Sequence, residues 1–126
     1  MSGIKTLLDT NVVIGLLKAY SPAVALAEQA GLILAETGVS QITRMELLGY
    51  PKLTDQEEAQ IRAFLAACQP CLIDEAVEVE AIRLRRTGHF KLPDAIVAAT
   101  AITRRLKLLT LDQSMLGGLQ RLGYEC

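Results

Sequence analysis

Residues 4–11 have the sequence Ile4-Lys5-Thr6-Leu7-Leu8-Asp9-Thr10-Asn11. The apolar run over residues 4–8 starts with a β-branched residue and predicts a short buried strand. Asp9 lies at the carboxyl end of that strand, and Thr10 and Asn11 are residue types that can cap the next helix. A charge at the edge of an apolar segment is costly unless something neutralises it, so Asp9 needs a partner.

Three more acidic residues occupy comparable places further along the chain. Glu46 lies about two turns into a helix that follows a predicted strand, and Asp94 is the second residue of a helix opened by Pro93. Asp112 comes directly after a predicted strand over residues 107–110. Four carboxylates that converge repel each other strongly, and a hard divalent cation relieves that repulsion.

Strand and helix signals alternate along the whole sequence. The predicted strands cover residues 4–8, 32–39, 70–73 and 107–110, with a possible final edge strand over residues 123–126. Ser40, Thr54 and Asp74 are expected to cap helices, while Gly31, Gly88 and Gly117-Gly118 are expected to end them. This alternation predicts a mostly parallel sheet covered on both faces, with ligands bound outside the carboxyl ends of the strands. Such a sheet allows the four acids to meet at one edge.

Composition limits the classes of function. The 126 residues suit one α/β domain, and 51% are hydrophobic although aromatics make up only 4%. The core must therefore consist of Leu, Ile, Val and Ala, and this large apolar share favours a surface covered by a partner or a second copy. A formal net charge of −1 excludes a broad basic face for nucleic acid. Contacts with phosphates must then use a local basic patch, a bound metal, or both.

The three cysteines, Cys68, Cys71 and Cys126, favour a reducing, cytoplasmic setting, because no signal peptide or disulfide framework is expected. Cys68 and Cys71 have C-x-x-C spacing, but they follow a predicted helix and precede a strand, so a structural role is preferred. No apolar run approaches the roughly 20 residues needed to cross a bilayer, so no membrane contact is expected.

Carboxylates clustered without His or Cys indicate Mg²⁺ or Mn²⁺ rather than zinc. His89 is the sole histidine and has no spaced ligand partner. A site of this kind can polarise a phosphodiester, help to deprotonate an attacking water and stabilise the leaving oxygen.

Four motifs resemble the PIN-domain ribonucleases, in particular the VapC-type toxins of toxin–antitoxin pairs. In chain order they are Leu8-Asp9-Thr10-Asn11, Ser40-x-x-Thr43-x-x-Glu46-Leu47, Leu92-x-Asp94-Ala95-x-x-Ala98-Ala99-Thr100-Ala101 and Leu109-Thr110-x-Asp112. The resemblance covers nearly the whole chain. It implies a single PIN-like domain over residues 1–126, with three α/β/α layers and a mostly parallel central sheet of four or five strands.

The resemblance also implies a function. The protein would be a Mg²⁺- or Mn²⁺-dependent endoribonuclease and the toxin of a type II pair, with an antitoxin partner, an RNA substrate and a homodimeric state. The catalytic and metal-binding residues would be Asp9, Glu46, Asp94 and Asp112, of which Asp9 and Asp94 are the expected direct ligands. Thr10, Asn11 and Thr110 would orient the carboxylates by hydrogen bonds.

Other interpretations stay open. Each acid taken singly could cap a helix, favour a helix dipole or face solvent. The basic residues Arg83, Arg85, Arg86 and Lys91 could form a phosphate-guiding patch or the solvated end of a helix. Met115 stands where the family often has Phe, and residues 50–80 match no motif. The alternative functions are a catalytically idle protein-binding module and, with less support, a metal-dependent phosphatase or receiver-like domain.

Overall fold

The structure is a computed structural model that describes residues 3–124. Its strands are β1 (Thr6–Leu8), β2 (Thr37–Ser40), β3 (Gln69–Cys71) and β4 (Lys107–Leu109). Its helices are α1 (Thr10–Leu17), α2 (Ser21–Ala30), α3 (Gln41–Leu48), α4 (Asp55–Ala67), α5 (Glu75–Arg86), α6 (Leu92–Arg104) and α7 (Gln113–Arg121). A single 3₁₀ turn within the described residues, Leu34–Glu36, precedes β2.

The four strands form one parallel sheet in the order β3-β2-β1-β4. The chain adds β2 and β3 on one side of β1 and then crosses to place β4 on the other side. The order therefore reverses between β1 and β4, and ligands of open α/β sheets bind at such a switch point. Leu8 is in register with Leu109 there, and the Asp9 N–H donates to the Leu109 carbonyl at 2.9 Å. The predicted α/β fold is confirmed, with four parallel strands.

Alternating strand residues divide the interior into two cores. Leu7 and Leu108 pack on one face with residues of α5, α6 and α7, whereas Leu8 and Leu109 pack on the other face with residues of α1 and α4. Successive side chains of a strand point to opposite faces, so adjacent apolar residues such as Leu7 and Leu8 are expected where a strand is buried on both faces. The sheet is thereby the middle of three layers.

Several predicted helix signals are confirmed. Ser40 and Asp74 accept hydrogen bonds from backbone N–H groups at the starts of α3 and α5, and Thr54 forms a complete capping box with Glu57. Gly31 ends α2 in the left-handed conformation, with φ 61°. The predicted cap of α1 was wrong, because the Asp9 side chain caps this helix in place of Thr10 or Asn11.

The strand limits also differ from those predicted. Residues 32–39 were expected to be one strand, but the 3₁₀ turn occupies Leu34–Glu36 and pairing with β1 begins only at Thr37. The strand predicted over 70–73 starts one residue earlier and ends at Cys71. Residues 123–124 form no strand, and the remainder of that predicted edge strand lies outside the described residues.

Helix α7 does not end at the two glycines as predicted, but continues to Arg121. A Cβ on Gly118 would lie 3.2 Å from the Phe90 ring, so this glycine lets the helix approach the segment before α6 closely. Packing against Phe90 therefore outweighs the low helix propensity of glycine.

The two described cysteines, Cys68 and Cys71, are buried and free. Burial raises the pKa of the Cys68 thiol to about 11, so this thiol stays protonated at neutral pH. Both observations agree with the structural role expected from their position.

No single helix within residues 3–124 is long and apolar enough to span a membrane. Helices α1 and α2 reach the required length and composition only as a pair, and they are bent by 110° relative to each other.

Gly38 in β2 allows a test of how closely β2 and β3 pack. A Cβ at this position would lie 2.7 Å from the Cys71 sulfur on the neighbouring strand, which is closer than real contacts allow. We expect Gly38→Ala to lower the free energy of unfolding by about 1–3 kcal/mol in chemical denaturation.

Two further variants make that test specific. Cys71→Ala should restore part of the stability of Gly38→Ala, because it removes the atom that clashes. Gly117→Ala is the matched control, since its Cβ would meet nothing within 4 Å and alanine favours the helix. Equal losses from Gly38→Ala and Gly117→Ala would contradict the packing account.

Candidate metal centre

Asp9 is the acid of the site that is buried and held by several hydrogen bonds. Its side chain follows β1 and is buried, with a relative exposure of 5%. One carboxylate oxygen accepts a hydrogen bond from the Thr10 N–H at 2.8 Å. The other accepts from the Thr110 hydroxyl at 2.8 Å and from the Asn11 amide at 3.3 Å. Donors that follow β1 and β4, the two strands at the switch point, therefore hold this carboxylate in one orientation.

Thr110 and Asn11 also connect the ends of β1 and β4 to each other. The Thr110 hydroxyl accepts from the Asp112 N–H at 3.0 Å and from the Asn11 amide nitrogen at 3.3 Å. The Asn11 side-chain oxygen accepts from the Leu111 N–H at 3.0 Å. These residues were predicted to orient carboxylates, and the structure brings both into contact with Asp9.

Asp112 caps α7 with one of its oxygens. That Oδ1 atom accepts from the Ser114 N–H at 3.0 Å, the Ser114 hydroxyl at 2.7 Å and the Met115 N–H at 3.3 Å. The hydrogen bond from the Ser114 side chain is the main reason why the pKa of Asp112 is lowered. Sequence reasoning missed Ser114, although an Asp at a helix start followed by Ser two residues later is a recognisable capping signal.

Glu46 lies at the exposed rim of the site on α3. Its Oε1 accepts from the Thr10 hydroxyl at 2.7 Å, and that hydroxyl lies 3.1 Å from the hydroxyl of Thr43. Thr43 is fully buried and was given no role from the sequence. Its position three residues before Glu46, on the same side of one helix, is the signal that could have identified it.

The pKa of Asp94 depends on the charges of the other three acids. Partial burial raises its pKa first, and the charges of Asp9, Asp112 and Glu46 raise it further. The four predicted acids therefore lie close enough to act on one another at the switch-point edge. The structure brings this whole set together.

The same repulsion acts on Asp9, but burial is the largest cause of its raised pKa. The hydrogen bonds from Thr110 and Thr10 oppose that rise, while the charges of Glu46 and Asp112 add to it. Helix N-termini also favour negative charge here. Asp9 caps α1, Asp112 caps α7 and Asp94 lies in the first turn of α6.

Lys91 is the predicted basic residue whose charge acts on this centre, because it lowers the pKa of both Asp94 and Asp112. Arg83 instead pairs with Glu80 and packs on the Tyr124 ring. Arg85 donates to the Phe90 carbonyl at 2.8 Å, and Arg86 lines a hollow between α5 and α6. The structure thus does not gather the four predicted basic residues into one patch at the acids.

The donor set fits a hard cation. Within residues 3–124, no three His, Cys, Asp or Glu side chains are already arranged as a ligand set for a metal ion. Mg²⁺ does not require such a set, because it keeps several waters and commonly takes one or two carboxylates. Two carboxylates whose pKa values are raised by burial and by like charge, Asp9 and Asp94, are suited to that role.

A sequence model of the PIN domain family matches residues 6–116, which covers all four acids. The chain belongs to the PIN domain family. The predicted family and its three-layer fold are thus confirmed. No curated protein matches the sequence of this PIN domain.

Solved structures agree with this assignment. A chain of a toxin-antitoxin complex from Klebsiella pneumoniae is 31% identical with a TM-score of 0.77, and the match covers 91% of this PIN domain and 92% of that chain. FitAcB from Neisseria gonorrhoeae is 27% identical with a TM-score of 0.68, over 91% and 93% of the two chains. VapBC2 from Rickettsia felis, bound to a promoter DNA fragment, is 17% identical with a TM-score of 0.71, over 94% and 92%. At that identity, the last match shows the shared fold.

The raised pKa of Asp94 predicts a pH-dependent stability of this PIN domain. The pKa of Asp94 in the folded protein lies above the ordinary value of 3.8, so ionisation of Asp94 lowers the free energy of unfolding. This destabilisation reaches its full size at pH values above the folded pKa. We therefore expect Asp94→Asn to raise the free energy of unfolding at pH 7 in EDTA. Solvent screening keeps the gain below about 1 kcal/mol.

This gain should decrease as the pH falls through the folded pKa of Asp94 and disappear below 3.8, where wild-type Asp94 is protonated in both states. Unfolding by denaturant at several pH values measures the difference in the free energy of unfolding between Asp94→Asn and the wild type. The matched control is Asp55→Asn, which removes an exposed carboxylate from the first turn of α4 and should give no gain. A loss of stability in Asp94→Asn at pH 7 would count against repulsion among the four acids.

Proposed function

We propose that this PIN domain is a Mg²⁺- or Mn²⁺-dependent endoribonuclease that hydrolyses RNA phosphodiester bonds. The observation that carries the proposal is the hydrogen-bond network at the switch point, in which Thr110 bonds to Asp9 and Asp112 and Thr10 bonds to Asp9 and Glu46. Asp94 lies close enough for the charges of these three acids to raise its pKa in addition to burial. A cluster of acidic residues without neutralising partners destabilises the fold, and a bound divalent cation would neutralise its charge. RNA as the substrate comes from the family resemblance, whereas a phosphodiester follows from the chemistry of the site.

We assign Asp9 and Asp94 as the direct ligands of the cation, with Glu46 and Asp112 binding it directly or through water. A bound Mg²⁺ or Mn²⁺ ion would polarise the phosphodiester and lower the pKa of an attacking water. Asp9 contributes a carboxylate that three donors already hold in place. Glu46 is the exposed member of the set and is oriented by Thr10, so we assign it to accept a proton from water.

Lys91 is our candidate for a contact with substrate phosphate. It is exposed and lies at the start of α6, and its charge acts on Asp94 and Asp112. A phosphate that approaches four carboxylates is repelled, and a cation at the rim reduces that repulsion. With a net charge of −1, this protein depends on such local charges to receive RNA.

We further propose that the protein is the toxin of a type II pair and acts in the cytoplasm. The 31% identical relative comes from a toxin-antitoxin complex and matches this chain over nearly its full length. A mostly apolar groove that includes Glu46 suits the antitoxin. Its apolar lining residues are Ile14, Leu17, Leu47, Tyr50, Leu53 and Ile61, and its polar ones are Lys18, Glu46, Glu57 and Gln60. A segment bound there could block access to Glu46.

Metal-dependent cleavage is the direct test of the activity. Purified protein, freed of any partner, should cleave RNA with Mg²⁺ or Mn²⁺ and lose that activity in EDTA. Asp9→Asn and Asp94→Asn should each reduce the rate by more than the roughly 10–100-fold typical of residues that only orient ligands. Calorimetry should show Mn²⁺ binding to wild type and weakened binding to both variants.

Asp55→Asn is the control for these variants, because it makes the same chemical change at an exposed position on α4. It should cleave RNA at the wild-type rate. Equal cleavage with and without EDTA would overturn the metal mechanism. Full activity of both Asp9→Asn and Asp94→Asn would remove the site assignment.

The toxin role has a separate test in cells. Induced expression of the wild-type protein should arrest growth, while Asp94→Asn should accumulate to the same level without arrest. Co-expression of a protein from the adjacent reading frame should restore growth if that protein is the antitoxin. Normal growth during expression of active wild-type enzyme would argue against a toxin.

A further inference from the structure

Thr43, in the first turn of α3, is a fully buried threonine whose hydroxyl bonds to another helix. Within residues 3–124, this hydroxyl has one hydrogen-bond partner, the Thr10 hydroxyl of α1 at 3.1 Å. Two other buried threonines, Thr37 and Thr100, instead donate to the carbonyl four residues earlier, at 2.7 Å in each case. Four residues before Thr43 is Val39 of β2, so α3 itself has no carbonyl at that place.

The protons of this pair of hydroxyls have one consistent arrangement. A threonine hydroxyl has a single proton to donate but can accept two hydrogen bonds, whereas an ionised carboxylate only accepts. The Thr10 hydroxyl lies 2.7 Å from Oε1 of Glu46, so it donates its proton to that oxygen. Thr43 must then donate to Thr10, because a buried hydroxyl without an acceptor is destabilising. The hydrogen bonds therefore run from Thr43 through Thr10 to Glu46.

The orientation of Glu46 depends on this chain of hydroxyls. Within residues 3–124, the hydrogen bond from Thr10 is the one that the Glu46 side chain makes. Asp9, by contrast, accepts from three donors, and Asp112 accepts three hydrogen bonds on a single oxygen. Glu46 is also exposed, and a glutamate side chain loses considerable rotamer entropy when it is held in place. A single hydroxyl therefore fixes Oε1 of Glu46 and leaves Oε2 for other partners.

We propose that Thr43 is a positioning residue of the acidic centre, whose buried hydroxyl holds the Thr10 hydroxyl in the orientation that donates to Glu46. Without the Thr43 proton, the Thr10 hydroxyl would lose its fixed donor and could turn towards water. The Glu46 carboxylate would then sample several rotamers and present Oε2 to the site less often. The consequence for catalysis rests on the proposed nuclease function, whereas the orientation of Glu46 does not.

A role in packing alone predicts a different outcome at Thr43. Valine has nearly the shape of threonine and shares its stiff, branched Cβ, so Thr43→Val keeps the packing and removes the hydroxyl. If the side chain only filled space between α3 and α1, valine would serve equally well. The positioning role requires the hydroxyl, so serine should replace threonine at this place and valine should not.

The rotamer of Glu46 is the direct test, and it needs neither metal nor RNA. In metal-free wild-type protein, side-chain scalar couplings measured by NMR should show one dominant rotamer of Glu46. Thr43→Val should average these couplings over several rotamers, and Thr43→Ser should keep the wild-type values. Thr100→Val is the matched control, because it removes an equally buried hydroxyl that bonds within its own helix. Unchanged couplings in Thr43→Val, or equal changes in Thr100→Val, would overturn the proposal.

Cleavage and metal binding measure the consequence for the site. Thr43→Val should lower the rate of RNA cleavage by about 10-fold, as is typical of residues that orient ligands, while Thr43→Ser stays within about threefold of wild type. In calorimetry, Thr43→Val should weaken Mn²⁺ binding by no more than Glu46→Gln does.

A double-variant cycle separates an effect through Glu46 from a general one. In a Glu46→Gln background, Thr43→Val should cause no further loss of cleavage or of Mn²⁺ affinity, because the carboxylate that it positions is already gone. A full additional loss in that background would contradict the positioning role. Wild-type protein that neither binds Mn²⁺ nor cleaves RNA would refute the proposed function instead, and the rotamers of Glu46 would still decide the role of Thr43.

Discussion

The carboxylate of Asp9 is the interaction on which the rest of the structure depends. It caps α1 through the Thr10 N–H and accepts from the Thr110 hydroxyl beyond the end of β4. One side chain thus joins the first strand, the first helix and the last strand. Burial of a charge costs free energy, and hydrogen bonds from fixed donors offset part of that cost. The remaining cost appears as the raised pKa of Asp9.

The capping and the functional interpretations of the acids are compatible. Asp9 and Asp112 cap helices, and Asp94 lies in a first helical turn, yet all three also act on one another through their charges. Helix N-termini stabilise negative charge, so the fold can tolerate three carboxylates at one edge. Glu46 is different, because it lies inside α3 and depends on Thr10 for its orientation.

The sequence was sufficient for the order of elements and for the acidic set, because both depend on local patterns. Strand limits were harder to predict. Apolar residues such as Leu32 and Ile33 resemble a strand, but only pairing with β1 decides that the strand starts at Thr37. Long-range packing also carried α7 past Gly118, against Phe90. Contacts such as Thr43 with Thr10 require knowledge of which helices meet at the site.

The groove formed by α1, α3 and α4 reaches the acidic centre at only one of its four acids. Glu46 lies in the wall of that groove, whereas Asp9 is buried at the end of β1 and does not line it. A segment bound in the groove would therefore cover Glu46 and leave the hydrogen bonds of Asp9 with Thr10 and Thr110 in place. Inhibition at this groove would then leave the buried part of the site unchanged, because Asp9 and its donors do not line the groove.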